Sequence, residues 1–124
     1  MKRLAVAAAL TAVAVAAPAE AGKKPVVRAR VQVVAQEYDF ALSRRTIKAG
    51  PATVQLANFG EDAHDLRLRR VGGSKTYALG KVQPGETADL RAKLAAGRYV
   101  LWCSISDHRQ LGMEAQLVVK KRRS

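Results

Sequence analysis

The sequence predicts an all-β fold, an antiparallel sandwich or barrel of about seven to eight strands. Three observations carry this expectation. Short runs alternate apolar and polar side chains with a period of two, as half-buried strands require. Turn-forming residues punctuate the runs at Ala49-Gly50-Pro51, Gly72-Gly73-Ser74, Pro84-Gly85 and Ala96-Gly97. Beyond an N-terminal apolar segment, no stretch shows the 3.6-residue period of a long amphipathic helix.

The elements follow in order. After a short lead over residues 22–25, the first strand begins at Val27. There Val27, Ala29, Val31 and Val33 share one parity and Arg28, Arg30 and Gln32 the other. Tyr38 to Leu42, Ala52 to Asn58 and His64 to Arg70 are the next candidates. From Glu86 onward, Ala88, Leu90, Ala92 and Leu94 alternate with Thr87, Asp89, Arg91 and Lys93. Tyr99, Leu101 and Cys103 then share a face, and Met113 opens a last run with Ala115, Leu117 and Val119 on its parity. Lys120 to Arg123 close the chain as a solvated basic end.

The first residues have the form of an export signal. Lys2 and Arg3 precede an apolar stretch from Leu4 to Ala17, and small residues end in Ala19-Glu20-Ala21, with cleavage expected after Ala21. Fourteen residues dominated by alanine fall short of the roughly 20 that span a bilayer, so no membrane span is expected. Residues 1–21 thus read as a secretory signal peptide and residues 22–124 as one domain with one core. The mature chain would work as a monomer in the periplasm or outside the cell.

With residues 1–21 removed, two of the 22 basic and one of the 10 acidic residues are lost and the net charge changes from +12 to +11. Such a balance favours acidic partner proteins or anionic surfaces; a solubility adaptation with no specific partner fits it equally. Aromatic residues make up only 5% of the chain and no nucleic-acid motif accompanies the basic residues, which argues against specific nucleic-acid binding.

Chemistry concentrates near the C-terminus, where Cys103, His108 and Met113 lie within one short segment. A lone cysteine in an oxidising compartment must be buried, paired with another chain or occupied. Strand parity turns Cys103 and Met113 inward at facing strand ends, and the nine residues between them can bring His108 down to both. His64, the other histidine, shares parity with Leu66 and Leu68 at the inward start of its strand, behind a loop containing Gly60. Taken singly, each residue is ordinary: a core or surface histidine, a small buried thiol, a core methionine. Together, two imidazoles, a thiolate and a weak axial thioether are the ligands of a blue copper electron-transfer centre. Glu61 and Asp62, just before His64, read as exposed loop residues.

At these residues the sequence resembles the cupredoxins of the plastocyanin and azurin type. The likeness rests on Asn58-x-Gly60-x-x-x-His64-Asp65-Leu66, Pro84-Gly85-Glu86, the Gly97-Arg98-Tyr99 lead into Cys103, then His108 and Gly112-Met113. It implies a Greek-key β-sandwich holding one copper ion in a type 1 site at one end. His64, Cys103 and His108 would be equatorial ligands and Met113 axial, in a non-enzymatic electron carrier serving redox partner proteins. Four residues separate Cys103 from His108 and four separate His108 from Met113, whereas plant plastocyanins use a shorter first gap and azurins a shorter second. Asp65 stands where many relatives carry Asn or Ser bonded to the cysteine loop. The resemblance further implies that His108 presents its outer edge through an apolar patch, for which Leu111 and Phe59 are candidates. Trp102, of opposite parity to Cys103, would project outward, either packed on the sheet or serving as a second electron port.

Three other functions compete. A copper chaperone or buffer would use the same four ligands without relaying electrons. A zinc site would leave the thioether unexplained. A Cys-His hydrolase would make Cys103 nucleophile and His108 base, but no orienting residue or substrate cleft is evident.

Overall fold

The computed structural model describes residues 2–16, 25 and 27–123. Residues 2–16 lie exposed and form neither helix nor strand. Among the described residues, no helix is long and apolar enough to cross a membrane. The expected cleavage point after Ala21 falls outside the described residues.

Nine strands and one short helix form among the described residues: β1 (Ala29–Gln36), β2 (Asp39–Leu42), β3 (Thr46–Lys48), β4 (Gly50–Asn58), β5 (His64–Arg70), β6 (Thr76–Val82), β7 (Thr87–Leu94), β8 (Gly97–Trp102), α1 (His108–Leu111) and β9 (Glu114–Lys120). They build a four-stranded sheet, β2-β1-β4-β7, and a five-stranded sheet, β3-β9-β8-β5-β6. The two pack face to face as an all-β, Greek-key sandwich around one apolar cluster.

Period-two alternation decides which side chains enter that cluster. Val31, Val33 and Ala35 of β1 are buried against Val54 and Leu56 of β4, while Leu66, Leu68, Tyr99, Leu101, Leu117 and Val119 close it from the other sheet. Each of these valine and leucine side chains contributes about 1.5–3 kcal/mol on full burial. Val27 is not part of the first strand, which starts at Ala29 and leaves Val27 74% exposed.

Two strands were not legible in the pattern, which raises the expected seven or eight to nine. β3 is three residues long with a single buried side chain, Ile47, too short for a period to register. In β6, Tyr77 and Leu79 alternate correctly, but Val82 breaks their parity and is buried. The cause is a register shift: β6 pairs Leu79 with Leu66 but Val82 with His64, the signature of a β-bulge.

The sheets are mixed, where a purely antiparallel sandwich was expected. β1 pairs parallel to β4 over seven residue pairs, and β3 pairs parallel to β9. After β2 the chain crosses to the edge of the opposite sheet as β3, so it re-enters the first sheet running in the direction of β1.

This wiring sends the C-terminal ends of β1, β4 and β8 and the starts of β5 and β9 to one end of the sandwich. Ala35 lies beside Asn58, and Trp102 lies opposite Glu114. The chemistry-bearing residues all follow or precede these ends.

Candidate metal centre

His64 opens β5 and is 0% exposed, as are Leu66 and Leu68 of the same parity. Cys103 leaves β8 with its side chain fully buried, as its shared face with Tyr99 and Leu101 requires. His108 is the first residue of α1 and is 7% exposed. The ring nitrogens and thiol converge: Cys103 Sγ lies 4.0 Å from His64 Nδ1 and 3.6 Å from His108 Nδ1. One ligand atom from each of the three lies within 4.8 Å of the others. Metal–sulfur and metal–nitrogen bonds of about 2.3 and 2.0 Å, opened by tetrahedral to trigonal angles, put sulfur about 3.5 to 3.7 Å from nitrogen. The Cys103–His108 separation falls in this range and the Cys103–His64 separation lies just beyond it, so a small shift closes the donors on a common ion.

The segment from Cys103 to Met113 is closed by its own main chain. The N–H of Cys103 donates to the Met113 carbonyl (3.1 Å), and the N–H of Met113 donates to the His108 carbonyl (3.1 Å). His108 N–H donates to Ile105 O, and Leu111 and Gly112 N–H groups donate to Asp107 O and Arg109 O. Gly112 is required here: its φ is +129° and a Cβ would stand 2.7 Å from the Tyr38 carbonyl oxygen. Met113 is 0% exposed, on the inward parity the sequence predicts.

The segment before His64 is held differently, by side chains. Asn58 is 2% exposed; its amide nitrogen donates to Asp62 O (2.8 Å) and Val82 O (2.9 Å), and its Oδ1 accepts from Gly60 N–H (2.9 Å). Glu37, from the β1–β2 turn, completes the clamp. Its Oε1 accepts the N–H groups of Asp62 (2.6 Å) and Glu61 (2.7 Å) and lies 3.2 Å from His64 Nε2. The Asp62 N–H above all, helped by those of Glu61 and the His64 ring, holds the Glu37 carboxyl down at about 2.

Glu37 is the residue in contact with the site that the sequence did not announce. It sits in a turn among other polar residues, and its partners lie 24 to 27 residues away.

Asp65, singled out by position, is 4% exposed and does bind the cysteine loop. Its Oδ1 accepts from Ser104 N–H (2.6 Å), its Oδ2 takes the Ser104 hydroxyl, and Arg67 flanks it at 3.6 Å. One carboxylate thus steadies the His64 arm and another the Cys103 arm. Burial pushes the Cys103 thiol above its ordinary value.

The rim holds polar groups beside His108 as well as the apolar candidates named from the sequence. Phe59 and Leu111 are exposed, at 66% and 51%. Yet His108 Nε2 lies 3.9 Å from a carboxylate oxygen of Asp62, and the Tyr38 ring packs on the His108 ring with centroids 5.1 Å apart. Asp62, with desolvation next and Asp107 and Glu37 adding to it, raises the Tyr38 hydroxyl above its usual value. Asp62 and Glu61 are exposed loop residues as predicted. Trp102 is half-buried on the outer sheet face, between the guanidinium groups of Arg109 (4.6 Å from the ring centroid) and Arg69 (5.9 Å).

No protein-family model and no curated protein matches the chain. Solved structures do. A dithionite-reduced auracyanin from the photosynthetic bacterium Roseiflexus castenholzii superposes with a TM-score of 0.61 at 17% identity, over 73% of this chain and 96% of that one. Auracyanin A, described as a "blue" copper protein of Chloroflexus aurantiacus, gives 0.60 at 18% identity over 73% and 98%. A purple cupredoxin from Nitrosopumilus maritimus gives 0.54 at 19% identity over 72% and 98%. At such identities the likeness is one of architecture, and the fold of this chain is the cupredoxin fold.

Proposed function

We propose that the chain is a small exported electron carrier in which His64, Cys103, His108 and Met113 would hold one copper ion. The observation that carries this is the convergence of Nδ1, Sγ and Nδ1 within 4.8 Å in a buried pocket. Structures of like fold include one described as a blue copper protein. The donor set suits copper because soft sulfur favours the cuprous ion while imidazole accepts both oxidation states. When bound, the ion supplies a one-electron redox couple.

The residues of the chain supply the rest. His64 and His108 each turn Nδ1 inward, and Cys103 contributes its sulfur as thiolate. The sandwich excludes water from His64 and Cys103 and from all but the outer edge of His108, so the surroundings need little rearrangement when charge changes. His108, alone of the three in reaching the surface, gives partners their shortest approach. Acidic partners drawn by the net charge would meet the basic outer sheet faces, whereas the His108 edge carries Asp62 beside it. Residues 22–124 would form the copper domain, released outside the cytoplasm by cleavage after Ala21.

Burial favours a carrier over a chaperone, since handing an ion to another protein needs an exposed ligand and here His64 and Cys103 are 0% exposed. It also disfavours the hydrolase, whose nucleophile must meet a substrate. Two surface concavities lie on the outer face of the four-stranded sheet, lined by Arg28, Pro51 and Arg91 and by Arg30, Arg44 and Thr53.

The test is addition of cupric ion to the purified mature protein. An intense visible band that is lost in Cys103→Ser, with a reversible reduction potential, is the expected outcome. A colourless wild type rejects the proposal; uptake of cuprous ion alone, with ready transfer to an acceptor, favours the chaperone.

A further inference from the structure

We infer that Glu37 is the positioning residue of the His64 arm: its carboxylate takes the Nε2–H of His64, leaves Nδ1 bare toward Cys103, and ties that imidazole to the backbone of the 59–63 loop. The inference rests on the copper reading above and names the regulation of that same site.

The argument starts from the imidazole. A neutral histidine has one nitrogen that donates and one that accepts, and the hydrogen bond at one fixes the state of the other. Cys103 Sγ faces His64 Nδ1 at 4.0 Å, and Glu37 Oε1 faces Nε2 at 3.2 Å. A carboxylate oxygen only accepts, so Nε2 carries the proton and Nδ1 keeps its lone pair for an ion. The same Oε1 also accepts the Glu61 and Asp62 N–H groups at 2.7 and 2.6 Å. The imidazole and the loop that delivers it therefore share one anchor, which belongs to neither.

Gly60 is the second half of the device. A Cβ at residue 60 would fall 2.5 Å from Glu37 Oε2 and closer still to Oε1. The carboxylate can occupy its place only because residue 60 lacks a side chain. Gly60 is not in the left-handed region, so an alanine there strains no backbone and simply evicts the flexible end of Glu37.

Two functional consequences follow. A ligand imidazole bonded to a carboxylate is more basic than a free one. The negative charge, one imidazole away from the ion, favours the cupric over the cuprous state. Glu37 thereby sets which oxidation state the site prefers, apart from any effect on stability.

Glu37→Ala, Gly60→Ala and Glu37→Gln test this. In the metal-free protein, long-range nitrogen–proton NMR of the His64 ring is expected to show protonated Nε2 in the wild type. The two alanine variants are expected to show mixed tautomers. Glu37→Gln keeps Oε1 for all three donors and is expected to restore the wild-type tautomer. In the copper-loaded proteins, competition with chelators reads both oxidation states. Cupric affinity is expected to fall about 10- to 100-fold in the alanine variants and cuprous affinity less. Glu37→Gln, which loses charge but not geometry, is expected to lower the cupric-to-cuprous ratio while leaving the tautomer alone, a split that a merely structural residue would not produce. An unchanged His64 tautomer in Gly60→Ala, or an unchanged ratio in Glu37→Gln, overturns the inference. Should Glu37→Ala not fold, Gly60→Ala decides. A wild type that takes up no copper rejects the proposed function alone, because the tautomer measurement needs no metal.

Discussion

The two arms of the site reach the same point by opposite means. The Cys103–Met113 loop is closed by main-chain bonds between its own members, Cys103 to Met113 and Met113 to His108. The His64 arm is held by side chains from elsewhere, Asn58 from the end of β4 and Glu37 from the β1–β2 turn. A loop that closes on itself needs little from its surroundings, here the grip of Asp65 on Ser104. An arm hung on distant side chains is adjustable, because one substitution changes its hold without touching a ligand. Geometry is fixed on one side, and tuning is available on the other.

Four substitutions break or sharpen that contrast, from the largest expected effect to the smallest. Gly112→Ala attacks the self-closed loop, forcing a side chain into φ +129° and against the Tyr38 carbonyl. It should cost about 3 kcal/mol or more, read as a drop in the urea midpoint with the m-value unchanged. Asn58→Ala attacks the hung arm, removing three hydrogen bonds from a residue that is 2% exposed. About 2 to 3 kcal/mol should be lost, and hydrogen exchange of the Gly60 amide should accelerate while that of Met113 stays slow. If both amides speed up together, the arms are one unit and the contrast fails.

Asp65→Asn probes the bridge between the arms, since Asp65 lies in β5 but grips Ser104. An asparagine can still accept the Ser104 N–H, so about 1 kcal/mol should go, measured by thermal unfolding. A loss as large as that of Asn58→Ala would mean that the cysteine loop too depends on a side-chain anchor. Arg109→Ala serves as the control at the rim. Its ion pair with Glu114 (3.0 Å) joins side chains that are 43% and 44% exposed, and its removal should change stability by at most about 1 kcal/mol. A larger loss would mark the Trp102 face as part of the scaffold.

The same contrast explains what the sequence could disclose. Cys103, His108 and Met113 were legible because residues that bond each other through the main chain are also close in the chain. His64 was legible through parity, its Leu66 and Leu68 companions pointing it inward. Asp65 and Asn58 were visible as motif positions. Glu37 was not, because its role lies in contacts across 24 to 27 residues and a glutamate in a turn is ordinary. Strand direction escaped for a related reason. Period two tells which side chains are buried, but it is the same for β1 beside β4, which run parallel, as for an antiparallel pair. The bulge that hid β6 also sits against His64, so the break in pattern coincides with the place where the strand serves the site.

Trp102 gives the molecule one more property. It is the only tryptophan in the chain, it is gripped between two arginines, and a single peptide bond joins it to Cys103. Were the proposed copper ion held at that sulfur, it would be expected to change the indole emission, so tryptophan fluorescence offers a reading of copper loading in a cuvette without any added label.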